Sequence, residues 1–362
     1  MRRILTVLAT VPALVLGTLV AMPAQAHGGK VITVRPGQSI QAAVDKAAPG
    51  TTIVLKRGTF RESVLIQKDH ITIRGSGSGP HGTVLVPPKT LPKNLCTQFI
   101  SEGAGFCVIA KKLDANGNVV TRVFDTKITN LKVTGFKGMG IVGFGAAGLV
   151  VTRVAAINDG EYGIARFDTI GGALAHNVAR NNEEAGLYVG DTARANAAVY
   201  GNVTSGNSLG LFIRHARYVK VFGNTSYGNC QGMLILDDGQ AGGAGNVAAF
   251  ANRLNFNNKF CPANEEGPPL QGGGLLVLGG TRNLIAHNIV LGNAGKQLNS
   301  GGIVLLSAKA LFKGADAAHN VVVKNVAFKN RPADIRWDGK GAGNRFIDNK
   351  CKTSIPRGLC HR

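Results

Sequence analysis

From Gly140 onward, short apolar runs recur along the chain, each opened by a small residue and punctuated by Gly and Asn. They begin at Gly140-Ile141, Gly163-Ile164, Gly186-Leu187, Gly210-Leu211, Gly232-Met233, Gly274-Leu275 and Gly302-Ile303, and the first four intervals are 23, 23, 24 and 22 residues. A second phrase runs beside the first, an Asn followed five residues later by another. Its copies are Asn177/Asn182, Asn202/Asn207, Asn224/Asn229, Asn252/Asn257, Asn288/Asn293, Asn325/Asn330 and Asn344/Asn349, with Arg153/Asn158 and Asn130/Gly135 as imperfect earlier ones. Self-similarity at this period marks a solenoid, and short β-branched segments without helical backs predict a parallel β-helix instead of a leucine-rich repeat. Stacked coils bring equivalent residues to about 4.8 Å. The Asn columns are therefore expected to hydrogen-bond along the axis and to occupy left-handed corners.

The start of the chain adds a pattern that periodicity does not give. Residues 32–75 read ITVRPGQSIQAAVDKAAPGTTIVLKRGTFRESVLIQKDHITIRG. A strand, a short helix over residues 39–47 with Ser39 as N-cap, a Pro-Gly turn and strands at 52–56 and 71–74 follow one another. Ile40, Ala43, Val44 and Ala47 form one apolar face that would close the open end of a stack. This opening resembles the first coil of the pectate-lyase-like superfamily. The resemblance implies an all-β, single-stranded right-handed parallel β-helix with a short N-terminal capping helix. It does not fix an activity, because the superfamily includes lyases, hydrolases, epimerases, esterases and non-catalytic members.

Residues 1–26 read as a signal peptide, with Arg2-Arg3, an apolar stretch and Ala24-Gln25-Ala26 as cleavage site. The expected mature protein is secreted, without a membrane span, and residues 27–362 form one domain. Loop insertions are expected near 76–121 and 258–272, the second because Gly232 and Gly274 stand 42 residues apart, and a C-terminal cap near 340–362. Removing Arg2 and Arg3 from 41 basic residues leaves 39 against 20 acidic ones, a formal charge of +19. Such a chain attracts extracellular polyanions, acidic polysaccharides among them; no nucleic-acid-binding motif is present. The oligomeric state stays open. Export makes disulfides the default for the six cysteines, and proximity favours Cys96–Cys107, Cys230–Cys261 and Cys351–Cys360.

Stacking the units exposes candidate chemistry. Five residues beyond each opening Gly stand Asp168, Asp191, His215, Asp237, Gly279 and Ser307, with Asp238 next in sequence, Arg214 before His215, and Arg166 and Tyr188 assigned to the same strand face or edge. Uronan lyases and C5 epimerases remove a proton beside a carboxylate, which requires a cation to neutralise that carboxylate and groups that move protons. In that reading Asp191, Asp237, His215, Arg214 and Tyr188 are catalytic. Arg166, Asp168 and Asp238 bind substrate, and Asp168, Asp191, Asp237 and Asp238 are candidate ligands of Ca²⁺. A glycoside hydrolase would instead use Asp191 with Asp237 or Asp238 as acid and base. A non-catalytic, polyanion-binding scaffold is the third reading, because Asp at a strand end also caps turns. The Asn-Thr-Asp, Gly-His-Gly and Arg-Ile-Lys patterns of polygalacturonases and the Asp-Pro-His of alginate epimerases and lyases are absent. Offsets two and four beyond the opening Gly are apolar as well (Tyr188, Phe212, Leu234, Leu276; Phe167, Leu236, Leu278, Leu306), which predicts a strand covered on both faces.

Overall fold

The computed structural model describes residues 29–264 and 267–361; the signal segment lies outside the described residues. Each coil supplies one short strand to each of three parallel sheets, which contain twelve, eleven and eleven strands among the described residues. One such coil runs Val150–Thr152, Ala155–Ile157, Ile164–Phe167. Inward positions such as Ile128, Val151, Leu174, Val199 and Val221 stack in register down the first sheet and fill a continuous apolar interior. The helix Ile40–Lys46 closes the first coil, with Ser39 capping Ala42 N–H and Ile40, Ala43, Val44 and Ala47 buried. The Glu62 carboxylate accepts from Ile40 N–H, Gln41 N–H and Ser39 Oγ, which fixes the helix start against the stack.

Two Asn ladders brace the corners on either side of the second sheet. At the first corner Asn177, Asn202, Asn224, Asn252, Asn288, Asn325 and Asn349 follow one another, and at the second Asn182, Asn207, Asn229, Asn257, Asn293 and Asn330. The repeating bond is double: in Asn202 both the backbone N–H and Nδ2 donate to Asn224 Oδ1, at 3.0 and 2.9 Å. Nδ2 also donates backwards, to Leu174 O at 2.9 Å. The left-handed expectation is displaced by one residue. The ladder Asn keep ordinary backbone angles, and the residue before each takes the positive φ: His176, Asn181, Gly201, Gly206, Gly223 and Gly228. Asn130 and Asn158 are themselves left-handed, so the imperfect early copies lie one residue out of phase and Val154 and Asp159 hold the ladder positions. Asn344 belongs to a third ladder, with Asn283 and Asn320.

The opening glycines follow from this ladder. A Cβ on Gly163 would stand 2.6 Å from Asn182 Nδ2 and 2.8 Å from Gly186 O, closer than real side chains approach. Gly163→Ala is therefore expected to lower stability by about 1–3 kcal/mol through overpacking, read as a shifted denaturant midpoint; an unchanged midpoint would remove this explanation of the column.

The insertions are more structured than loops. Within 76–121, Thr83–Val86 and Ala104–Ile109 are rungs of the stack, Leu95–Phe99 is a short helix, and Lys112–Leu113 pairs with Val119–Thr121 as a hairpin. The later insertion pairs Phe260–Cys261 with Leu270–Gln271. Much of the expected C-terminal cap is a further coil, with strands at Arg345–Ile347, Lys350–Cys351 and Ser354–Ile355. All three expected disulfides are formed. Among the described residues no helix is long and apolar enough to cross a membrane.

Candidate functional site

The third sheet is apolar on both faces, as its sequence predicts. Its outward residues form a second core with Tyr188, Phe212, Leu234, Leu236, Leu276, Leu278, Val304 and Leu306, covered by Leu95 and Ile100 of the first insertion and Leu270 of the second. A helix not foreseen from the sequence, Lys309–Phe312, contributes Phe312 to the cover. The cover is incomplete. Between Phe212, Leu234, Leu236, Leu276 and Leu278 as floor and Leu270, Leu298, Leu311 and Phe312 as walls runs a cleft of about 570 Å³, lined also by Arg214, Asp238, Glu183, Glu184, Asn264 and Asn299.

The strands Ala185–Thr192, Leu209–Ala216 and Gln231–Leu236 pair in the register assumed from sequence, placing Asp191, His215 and Asp237 on successive rungs. Asp168, Asp191 and His215 all adopt left-handed backbone where these strands end, at φ 39°, 57° and 46°. Side-chain directions then divide the candidates. His215 Nδ1 stands 3.2 Å from Asp191 Oδ1, and its Nε2 meets Asp238 Oδ1. Tyr188 Oη donates to Asp191 Oδ2 at 3.3 Å. Arg214 places both Nε and Nη2 on Asp238 Oδ2, at 2.9 and 2.7 Å. A chain Tyr188–Asp191–His215–Asp238–Arg214 thus crosses three rungs. Burial pushes the Tyr188 phenol well above its usual range, and the charge of Asp191 adds to the rise, so it is a proton donor at neutral pH. Burial opposes the charge of Arg214, but the hydrogen bond and charge of Asp238 outweigh it and hold the guanidinium above its ordinary value. The His215 and Asp238 side chains are only 2% and 9% exposed, against 26% for Arg214 and 36% for Asp191.

Three candidates fall outside this chain. Asp237, expected to be catalytic, accepts from Gly239 N–H and Ala244 N–H at 3.1 Å each, so its carboxylate caps the turn that follows the strand. Asp168 pairs with Arg122, a residue that no spacing in the sequence singled out. Arg166 does not share a face with Tyr188: it points into the solenoid, stacked between Gly143 and Val189, and is fully buried with Nη2 on Gly171 O. Burial alone pulls that guanidinium down to about 10. The four acids proposed for calcium accordingly do not converge, because Arg122, two backbone amides and the His215 ring hold them apart; among the described residues no cluster of three or more His, Cys, Asp or Glu side chains could hold a cation.

Three parallel sheets built from stacked coils define a right-handed parallel β-helix. Residues 119–353 match the family described as "Right handed beta helix region", and the chain belongs to it. Among solved structures it is similar to the A-module of the mannuronan C-5 epimerase AlgE6 of Azotobacter vinelandii, at 18% identity over 87% of this chain and 90% of that one, with a TM-score of 0.59. A DFA-IIIase from Arthrobacter chlorophenolicus A6 is similar at 14% identity, over 86% and 91%, with a TM-score of 0.60. Likeness at such identities shows the fold. No curated protein matches the chain.

Proposed function

We propose that this secreted protein binds and modifies an acidic polysaccharide, by lyase or C5-epimerase chemistry at the Arg214 end of the cleft. The observation that carries the reading is the chain Tyr188–Asp191–His215–Asp238–Arg214, whose last two members, Asp238 and Arg214, line a walled cleft. Removing the C5 proton of a uronate places negative charge on its carboxylate, which an Arg stabilises. Arg214 spends Nε and Nη2 on Asp238 and keeps Nη1 for a substrate. Both ring nitrogens of His215 face carboxylates, so a proton taken up by Asp191 can pass through the ring to Asp238. Returned to the opposite face of C5, a proton gives the epimer. If the C4–O bond breaks instead and its oxygen takes up a proton, the product is an unsaturated uronate. The formal charge of +19 and the mannuronan C-5 epimerase among the structural neighbours support an anionic polymer.

A non-catalytic polyanion-binding scaffold is the second reading, favoured by the burial of His215 and Tyr188. Incubating the mature protein with polyuronates in D₂O separates the two. Ultraviolet absorbance reports elimination, and loss of the C5 proton signal reports exchange. Arg214→Ala and His215→Ala are each expected to slow turnover by about 100-fold or more. Neither elimination nor exchange with any polyuronate, or turnover indifferent to Arg214→Ala, would leave the scaffold.

A further inference from the structure

Around its rim the cleft carries side chains able to bind sugar hydroxyls, Glu183, Glu184, Ser208, Asn264 and Asn299, but its floor of Phe212, Leu234, Leu236, Leu276 and Leu278 offers nothing for a hydroxyl to bond. Its floor side chains lie on successive rungs, so the apolar strip from Phe212 to Leu276 runs about 10 Å along the axis at the usual strand spacing. The volume of about 570 Å³ falls within the range of small-ligand sites, where apolar surface supplies affinity and a few polar groups fix orientation. The cation at the margin is Arg214, and its Nη1 has no protein partner among the described residues. The Leu311 side chain, on the short helix that walls the cleft, is left 42% exposed.

We propose that the cleft receives an aliphatic chain carried by the acidic saccharide: the substrate is an acyl- or alkyl-substituted uronate whose chain lies on the leucine floor while its carboxylate meets Arg214 Nη1. The inference rests on the reading of this site as one for acidic saccharides and narrows the class of substrate. Burial of each methylene tightens binding by about four-fold, so even a short chain outweighs the screened contact of one carboxylate with Arg214. A free fatty acid presents the same chemistry without the sugar, and the test separates the two.

The mature protein is titrated calorimetrically with dodecyl glucuronide, dodecyl glucoside and laurate, each below its micelle concentration, and with an unsubstituted uronate oligomer. Dodecyl glucuronide is expected to bind at least ten-fold more tightly than the oligomer, the glucoside and laurate. Leu311→Asp should weaken it at least ten-fold, and Arg214→Gln should abolish its advantage over the glucoside. Leu311 stands on the rim, so its substitution leaves the stack intact; Leu276→Trp, which fills the floor, is the second variant. Failure of dodecyl glucuronide to bind, or equal binding by both leucine variants, overturns the inference, and laurate binding as tightly as the glucuronide overturns the saccharide. Polyuronate turnover is measured on the same preparation. Turnover without alkyl binding overturns only the aliphatic chain, whereas alkyl binding without turnover supports it and removes the catalytic reading.

Discussion

Replacing Asn207 by Leu is expected to destabilise the protein by about 4 kcal/mol or more, a large part of the 5–15 kcal/mol that holds a typical domain. The side chain is fully buried and makes four bonds. Its Oδ1 accepts from Asn182 N–H and Nδ2 at 2.9 and 3.0 Å, and its Nδ2 donates to Asn229 Oδ1 and Ala179 O at 3.0 and 3.1 Å. Leucine fills nearly the same space but leaves two donors and a carbonyl unpaired where no water reaches, at about 1–3 kcal/mol each. Because the ladder is continuous, the loss also strands groups one coil to either side. Equilibrium unfolding in guanidinium measures it; a change below about 1 kcal/mol would mean that backbone pairing alone fixes the corner.

The second large effect concerns Asp159, which heads the second-corner ladder. Its backbone N–H donates to Asn182 Oδ1, as a ladder Asn would, and its Oδ1 accepts from Phe136 N–H. Oδ2 has no partner and takes the place where every later rung has an NH₂ group. An ionised oxygen there would face the lone pairs of Asn182. Burial accordingly raises this carboxyl to about 8, although the backbone N–H groups of Phe136 and Gly135 oppose the rise. The folded state therefore holds a proton that the unfolded chain releases near pH 4, and stability falls as pH climbs from about 4 to about 8 before levelling off. At about 1.4 kcal/mol per unit, the loss across that window amounts to several kcal/mol. Asp159→Asn supplies the donor permanently, so its melting temperature should exceed the parent's at pH 8 and vary much less between pH 4.5 and 8. Parallel profiles for the two proteins would show that Asp159 is not the protonated head of the ladder.

Both predictions turn on the phase of the repeat, which the sequence leaves open by one residue. Asn130 and Asn158 carry the right residue type but stand at the left-handed position, and Val154 and Asp159 are the ladder members beside Arg153 and Asn158 of the early copy. The coil itself was legible, because an inward residue at every second position and a Gly wherever the ladder amide approaches leave a periodic record. Within the site, register was legible and direction was not. Strand pairing put Asp191, His215 and Asp237 in one column, whereas the turn after Leu236 sends Asp238 to His215 and turns Asp237 onto its own backbone amides. Arg166 was misplaced by a parity error, since it stands three residues beyond its opening Gly and so points inward. Lys309–Phe312 leaves no apolar period because it is a single turn, and Arg122 reaches Asp168 across a loop of no fixed spacing.

A stack of parallel strands has two ends, and at each the outermost coil would present a row of unsatisfied amides and carbonyls to any extended chain that met it. The helix Ile40–Lys46 closes the apolar interior at the first coil, and the edge strand beside it, Val31–Val34, is only four residues long. At the other end the final strand, Ser354–Ile355, is followed at once by Pro356, and His361 N–H is held on Asn349 O while Cys351–Cys360 staples the tail across the coil. The helix and the stapled tail therefore bear on solubility as well as stability: an end occupied by the chain's own segments is a poorer template for a second copy to extend.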